Sequence, residues 1–202
     1  MIHFVPGSDG LITFLQSPDA GLRRELRMMD VRSGEVRSLL EPPVDDREYT
    51  LEEKLRRETM RDHFTGITSY HWATKASEAT LLVPTPGGEL LLQRGLDGSP
   101  RQLFEGAALD PQISKDGSTV GFVQQGEVHI VSADGGPPRQ VTAGAEEGLT
   151  NGLADFLAQE ELNRYSGFWL SEDGRWLVFE QVDTRHIPEY RATFVQTPSS
   201  YI

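Results

Sequence analysis

The sequence predicts an all-β protein, a partial β-propeller of about four four-stranded antiparallel blades with two short helical insertions. A unit that reads Ser-x-Asp-Gly followed by an apolar strand occurs at 114–123 and again at 171–180. A second unit, an Asp-Gly turn followed by an Arg-Gln strand, occurs at 97–104 and at 134–142. Short strands separated by turns, with a period of about 40 residues, are typical of propeller blades.

The repeats divide one domain, 1–202, into blades. We place them at about 10–41, 66–105, 107–143 and 166–195, the third being the clearest. An antiparallel sandwich also has short strands and Gly-rich turns. The recurrence of the same turn and strand chemistry favours the propeller.

Two segments interrupt the strand pattern and are predicted to be helical. At about 50–64, Thr50 and Glu53 have the spacing of a capping box, and the stretch that follows is rich in helix formers. Its few apolar residues indicate that it lies over the blades. At about 153–164, helical spacing places Leu153, Leu157, Leu162 and Tyr165 near one face.

Composition excludes several classes of partner and site. The net charge of −12 disfavours binding to nucleic acid or to anionic membranes. The absence of cysteine excludes disulfides, thiol nucleophiles and Cys-bound metals. The five histidines lack metal-ligand spacing, so no metal or cofactor is predicted. No apolar run approaches the roughly 20 residues of a membrane span.

The N-terminus, 1–6, lacks the basic region and apolar core of a signal peptide. We therefore expect a cytoplasmic location for the chain as given. An export signal upstream of it would make the protein periplasmic or secreted.

Glu160 and Glu161 are adjacent carboxylates on the second predicted helix. Helix neighbours point about 100° apart, so at the end of a helix they can converge on one small cation. A protonated α-amine has three N–H donors and a pKa of about 8, which suits it to bridging two carboxylates. Acid pairs are also common on solvated helix faces, so the residues alone leave both interpretations open.

Two long segments resemble the dipeptidyl peptidase IV family. The stretch 151–169, with its continuation to 190, resembles the segment that carries the family's acidic pair. The Arg-rich run 55–61 and the Gly-Ile-Thr-Ser-Tyr strand at 66–72 resemble the branch that includes dipeptidyl peptidases 8 and 9. Together they cover roughly residues 50–195 in the family's order.

The resemblance implies an N-terminal eight-bladed propeller joined to a C-terminal α/β-hydrolase domain. Such enzymes remove dipeptides from peptide N-termini, with Pro or Ala preferred as the second residue. It implies that Glu160 and Glu161 bind the free amine of the peptide. It also implies that Arg61 contacts the peptide backbone, or Arg56 or Arg57 in another helix register. A solvated helix charge is an equal alternative for Arg61.

The sequence departs from the family because no Gly-x-Ser-x-Gly nucleophile elbow occurs in it. We expect the chain to stop before the hydrolase domain, to hold no catalytic residue and to be inactive alone. Its predicted function is that of the substrate-recognition propeller portion of a dipeptidyl-peptidase-type serine peptidase. The alternative is a stand-alone propeller-like module that binds protein or peptide without a peptidase role.

The predicted partners are peptide N-termini and a second copy of the chain. Four blades leave two apolar flanks exposed, and apolar patches above a few hundred Å² usually mark interaction sites. A two-fold pairing would cover both flanks, so we expect a homodimer through them. The alternative is that the helix at 50–64 or the segment after Pro188 covers a flank.

Overall fold

The computed structural model of the chain describes residues 2–42 and 63–188, and most of its regular structure is antiparallel β-sheet. The first sheet has the order β1-β2-β3-β4, formed by Ile2–Phe4, Leu11–Gln16, Arg23–Asp30 and Val36–Leu40. β5, Thr65–Gly66, lies parallel to the start of β3.

Two further sheets repeat the same four-stranded order. The second comprises β6 to β9, which are His71–Trp72, Thr80–Pro84, Leu90–Arg94 and Arg101–Phe104. The third comprises β10 to β13, which are Leu109–Ile113, Thr119–Gln124, Glu127–Ser132 and Arg139–Gln140. Consecutive strands pair with one another in each sheet, as they do in propeller blades.

The last described part contains shorter pieces. β14 and β17, Leu149–Asn151 and Gln181–Asp183, pair with each other, and β15 and β16, Phe168–Leu170 and Leu177–Phe179, form the fourth sheet. A single helix is described, α1, Phe156–Leu162, and it lies within the predicted 153–164. This architecture confirms the predicted fold class. The predicted helix at 50–64 falls almost entirely outside the described residues.

Apolar side chains fill the spaces between successive sheets. Leu81 packs toward the first sheet, against Leu26 and Leu40, whereas Leu82 packs toward the third sheet, against Val120. Adjacent residues of a strand point to opposite faces, so a central blade buries both. All five are at least nine-tenths buried. The third and fourth sheets meet in the same way, through a cluster formed by Leu109, Val123, Val128 and Phe168.

The Ser-x-Asp-Gly repeat forms the same turn twice. Ser114 Oγ donates to Asp116 Oδ1 at 2.6 Å, and Ser171 Oγ donates to Asp173 Oδ1 at 2.7 Å. Glu172 also accepts from Lys115 Nζ, at 2.7 Å, and from Lys75 Nζ, in the loop between β6 and β7. These lysines hold the pKa of Glu172 at about 2. The turns thereby connect the second, third and fourth sheets at one end of the fold.

The Gly-Ile-Thr-Ser-Tyr segment, predicted as a strand, is irregular after Gly66 and lies between the first two sheets. Ile67 and Tyr70 are 1% exposed there, and the Tyr70 hydroxyl donates to the carbonyl oxygen of Thr13 at 2.8 Å. Gly66 has φ +75°, and a Cβ on it would lie 2.4 Å from the carbonyl oxygen of Arg24. This motif therefore has a structural role in joining the two sheets.

Replacing Gly66 by alanine is expected to lower the free energy of unfolding by about 2 kcal/mol or more, since left-handed strain and a backbone clash act together. Gly34→Ala is the matched control, because Gly34 has φ +73° and open space around its Cα. Urea unfolding of both variants measures the difference. Equal losses in the two variants would show that the contact with Arg24 is unimportant.

Candidate functional site

The acidic pair lies on α1, a helix of seven residues with a cap at each end. The Asp155 side chain accepts from the backbone N–H of Ala158 at 2.7 Å and caps the N-terminus. Asn163 adopts φ 50° and ψ 32°, the left-handed conformation that ends a helix. Ala158 is the buried residue of the helix. Burial alone therefore contributes little to holding α1 in place.

Glu160 and Glu161 lie on an exposed arc of α1. At about 100° per residue, Phe156, Glu160, Leu157 and Glu161 fall in that order within an arc of about 140°, and Ala158 lies outside it. All four side chains of the arc are exposed. Within the described residues neither carboxylate is engaged in a hydrogen bond or ion pair. The arc can therefore present two carboxylates and two apolar side chains to a ligand.

Arg164 joins the two ends of this segment. Its Nη1 lies 2.5 Å from Glu180 Oε2 and donates to the carbonyl oxygen of Ser166 at 3.0 Å, while Nη2 lies 4.0 Å from Asp155 Oδ2. The hydrogen bond to Glu180 raises the pKa of Arg164. This guanidinium therefore links the N-cap of α1 to Glu180, which lies between β16 and β17.

The chain after α1 is fastened to the first strand of the third sheet. Ser166 Oγ donates to Asp110 Oδ1 at 2.9 Å, and Gln112 Nε2 donates to the carbonyl oxygen of Phe168 at 2.8 Å. Asp110 is buried and has φ 48°, a left-handed conformation that is uncommon outside glycine. The polar contacts of Asp110 and Gln112 set where the chain returns to the sheet.

Only part of the predicted site is described. Arg61 and its alternatives, Arg56 and Arg57, lie outside the described residues, so their contact with a peptide stays a prediction. Sequence reasoning missed Arg164 and gave Asp155 no role. An Asp just before a helix is an N-cap signal that could have been used, whereas nothing local marks Arg164 as a partner of Glu180.

Other kinds of site are not seen in residues 2–42 and 63–188. No group of three or more His, Asp or Glu side chains is placed there to hold a metal ion. No helix in those ranges has the length and apolar character of a membrane span.

Successive four-stranded sheets and a capped acidic helix after the third sheet define a β-propeller portion with a surface acidic site. The sequence model of the family described as "Dipeptidyl peptidase IV (DPP IV) N-terminal region" matches residues 45–202. The chain belongs to this family. The predicted family is thereby confirmed, while the closer resemblance to dipeptidyl peptidases 8 and 9 stays a prediction.

Two known proteins are similar in sequence to part of this chain. Prolyl endopeptidase FAP of Mus musculus is 32% identical over 75 residues, which are 36% of this chain and 10% of that protein. Dipeptidyl peptidase 4 of Felis catus is 26% identical over 88 residues, 43% of this chain and 12% of that protein. The matches thus span about a tenth of these relatives.

A solved structure shares the fold. The crystal structure of Porphyromonas gingivalis dipeptidyl peptidase 4 matches with a TM-score of 0.62 at 20% sequence identity. The match covers 98% of this chain and 27% of that chain. It supports the propeller architecture over nearly the whole length of the chain.

Proposed function

We propose that this chain is the substrate-recognition propeller portion of a dipeptidyl-peptidase-type serine peptidase, in which Glu160 and Glu161 bind the free N-terminal amine of a peptide. The observation that carries the proposal is the exposed arc of α1, which presents both carboxylates within the family's segment. Family membership favours this function over a stand-alone binding module.

The chemistry of the arc suits an α-ammonium group. Such a group donates three hydrogen bonds and carries one positive charge, and two carboxylates on one arc supply acceptors and charge for it. Phe156 lies one helical turn before Glu160, and Leu157 one turn before Glu161. These apolar neighbours would contact the aliphatic part of a peptide, which supports a peptide ligand over a bare cation.

We also propose that the chemical step needs residues other than these 202. No nucleophile elbow occurs in the sequence, and binding residues do not replace a nucleophile, base and oxyanion donors. Arg61 remains proposed as the residue that contacts the peptide backbone. A cytoplasmic location likewise stays a prediction.

The peptide Ala-Pro-Gly and its N-acetylated form test the amine site. We expect the free peptide to shift the backbone amide resonances of Glu160 and Glu161, and the acetylated peptide to leave them unchanged. Binding should weaken as the pH rises past about 8, since the amine then loses its charge. Equal shifts from both peptides would contradict amine recognition.

A homodimer through the blade flanks is the second part of the proposal. In the fourth sheet, Trp169 and Val178 are cross-strand partners on the face that points away from the third sheet, and both are exposed. In the first sheet, Ile2 and Phe4 are exposed on the face that points away from the second sheet. These two surfaces are called the fourth-sheet flank and the first-sheet flank.

A further inference from the structure

Glu127, the first residue of β12, is a carboxylate buried to 7% exposure. Its Oε2 accepts from the Thr142 hydroxyl and from Asn151 Nδ2, the latter at 3.0 Å, and its Oε1 accepts from the backbone N–H of Ala145. All three donors belong to the segment that leads from the third sheet to α1. One buried side chain therefore accepts hydrogen bonds from three positions along that segment.

The contacts continue beyond Asn151, which is 1% exposed. Asn151 Oδ1 accepts from Gln181 Nε2 at 2.9 Å, across the pairing of β14 with β17. β14 ends four residues before Asp155, the N-cap of α1. The chain of side chains Glu127–Asn151–Gln181, here called the relay, thus joins the third sheet to β14, which precedes α1, and to its partner strand β17.

The same repeat position in the first two sheets is also occupied by a glutamate. Glu25 and Glu89 each come directly before a leucine of an inter-sheet cluster, as Glu127 comes before Val128. Glu25 forms an ion pair with Arg27, which is two residues later in the chain. Glu89 accepts a hydrogen bond from the hydroxyl of Thr85, which is four residues earlier. Glu127 reaches residues 15 and 24 positions later.

We propose that Glu127 is a positioning residue, which acts through the relay to hold α1 and its acidic pair in the orientation that binds a peptide amine. The proposal rests on the proposed function of Glu160 and Glu161. A helix of seven residues that buries one alanine is not maintained by its own packing or propensity. Its placement must come from its ends, and the relay holds β14, the strand that leads into its N-terminus, together with β17, the partner of β14.

The protonation of Glu127 agrees with this geometry. Burial acts to raise the pKa of the carboxyl, but hydrogen bonds from Thr142, Ala145 and Asn151 outweigh it, so the pKa lies below its ordinary value. The charged form is therefore the one that the surrounding donors stabilise. A neutral side chain of the same shape would not replace it.

Glu127→Gln tests the proposal because glutamine has one oxygen and an NH₂ group. All three partners are donors, so the NH₂ meets a donor whichever way the amide is oriented. We expect about tenfold weaker binding of Ala-Pro-Gly, the size that loss of a charged hydrogen bond produces, and faster hydrogen exchange at the α1 amides. The double variant E127Q/N151D restores a carboxylate to the relay and should recover most of the binding.

Val131→Ala is the matched control, since Val131 lies on the same strand at 2% exposure and packs between the second and third sheets. It should destabilise the fold without a selective effect on α1 or on the peptide. If it changes both readouts as Glu127→Gln does, the positioning role is refuted. If the native chain does not bind the peptide, the amine site itself fails, and exchange at α1 still decides whether the relay positions the helix.

Discussion

Replacement of Glu160 and Glu161 together by glutamine is expected to weaken binding of a free-amine peptide by about 100-fold or more. Hydrogen bonds to charged groups contribute about 1.5–3 kcal/mol each and neutral ones about 0.5–1.5 kcal/mol, and the double variant exchanges two charged acceptors for neutral amide oxygens. Both side chains are exposed, so the fold should keep its stability to within about 0.5 kcal/mol. Calorimetric titration with Ala-Pro-Gly measures the affinity, and urea unfolding measures the stability.

Three comparisons make this result specific. Each single variant should lie between the native chain and the double variant, because one carboxylate and its charge remain. Glu105→Gln, at another exposed carboxylate, should leave the affinity unchanged. The N-acetylated peptide should bind all variants equally poorly. Native affinity in the double variant would show that the acidic pair is not the amine site.

The fold class could be predicted because its signals are local in sequence. Ser114 and Asp116 are two residues apart and form the same hydrogen bond as Ser171 and Asp173. A turn that is closed by hydrogen bonds between its own side chains requires the same residues at the same spacing wherever it occurs. The repeat can therefore be recognised in the sequence without knowledge of the sheets. The packing of Leu81 and Leu82 toward opposite sheets then follows from the two-residue period of a strand.

The face of α1 was predicted less well. Helical spacing places Leu153, Leu157, Leu162 and Tyr165 near one face, but the helix spans only Phe156–Leu162, and Leu157 and Leu162 are 65% and 68% exposed. The caps limit the helix to about two turns. Residues 153–165 therefore do not form one continuous helix, and the periodic pattern across them does not define a helix face. Ala158, too small to stand out in such a pattern, is the side chain that is buried.

The residues that hold the site in place could not be predicted from local signals. Arg164 meets Glu180 16 residues later, and Glu127 meets Asn151 24 residues later. Asn151 and Gln181 come together because β14 pairs with β17 across the intervening helix and fourth sheet. Such contacts depend on the tertiary arrangement, whereas the acidic pair is adjacent in sequence and was found there.

The second large effect concerns assembly. We expect the chain, whose mass is 22.5 kDa, to sediment as a dimer at micromolar concentration. In a two-fold pair, the fourth-sheet flank of one copy would cover the first-sheet flank of the other, and each flank would be used once per copy. The exposed side chains that define the two flanks are Trp169 and Val178 on the fourth sheet and Ile2 and Phe4 on the first. Burial of these aromatic and aliphatic groups would supply the driving force.

Val178→Glu is expected to convert the dimer to a monomer. A carboxylate buried at the interface without a partner costs about 3–5 kcal/mol, which is a loss of 100-fold or more in dimer affinity. Val178 is 66% exposed in the single chain, so the fold itself should tolerate the change. Ile187→Glu, at a 57% exposed residue in the turn after β17, should leave the dimer intact. A native chain that sediments at 22.5 kDa would contradict the pairing, because the flanks would then be covered within one copy or tolerated in water.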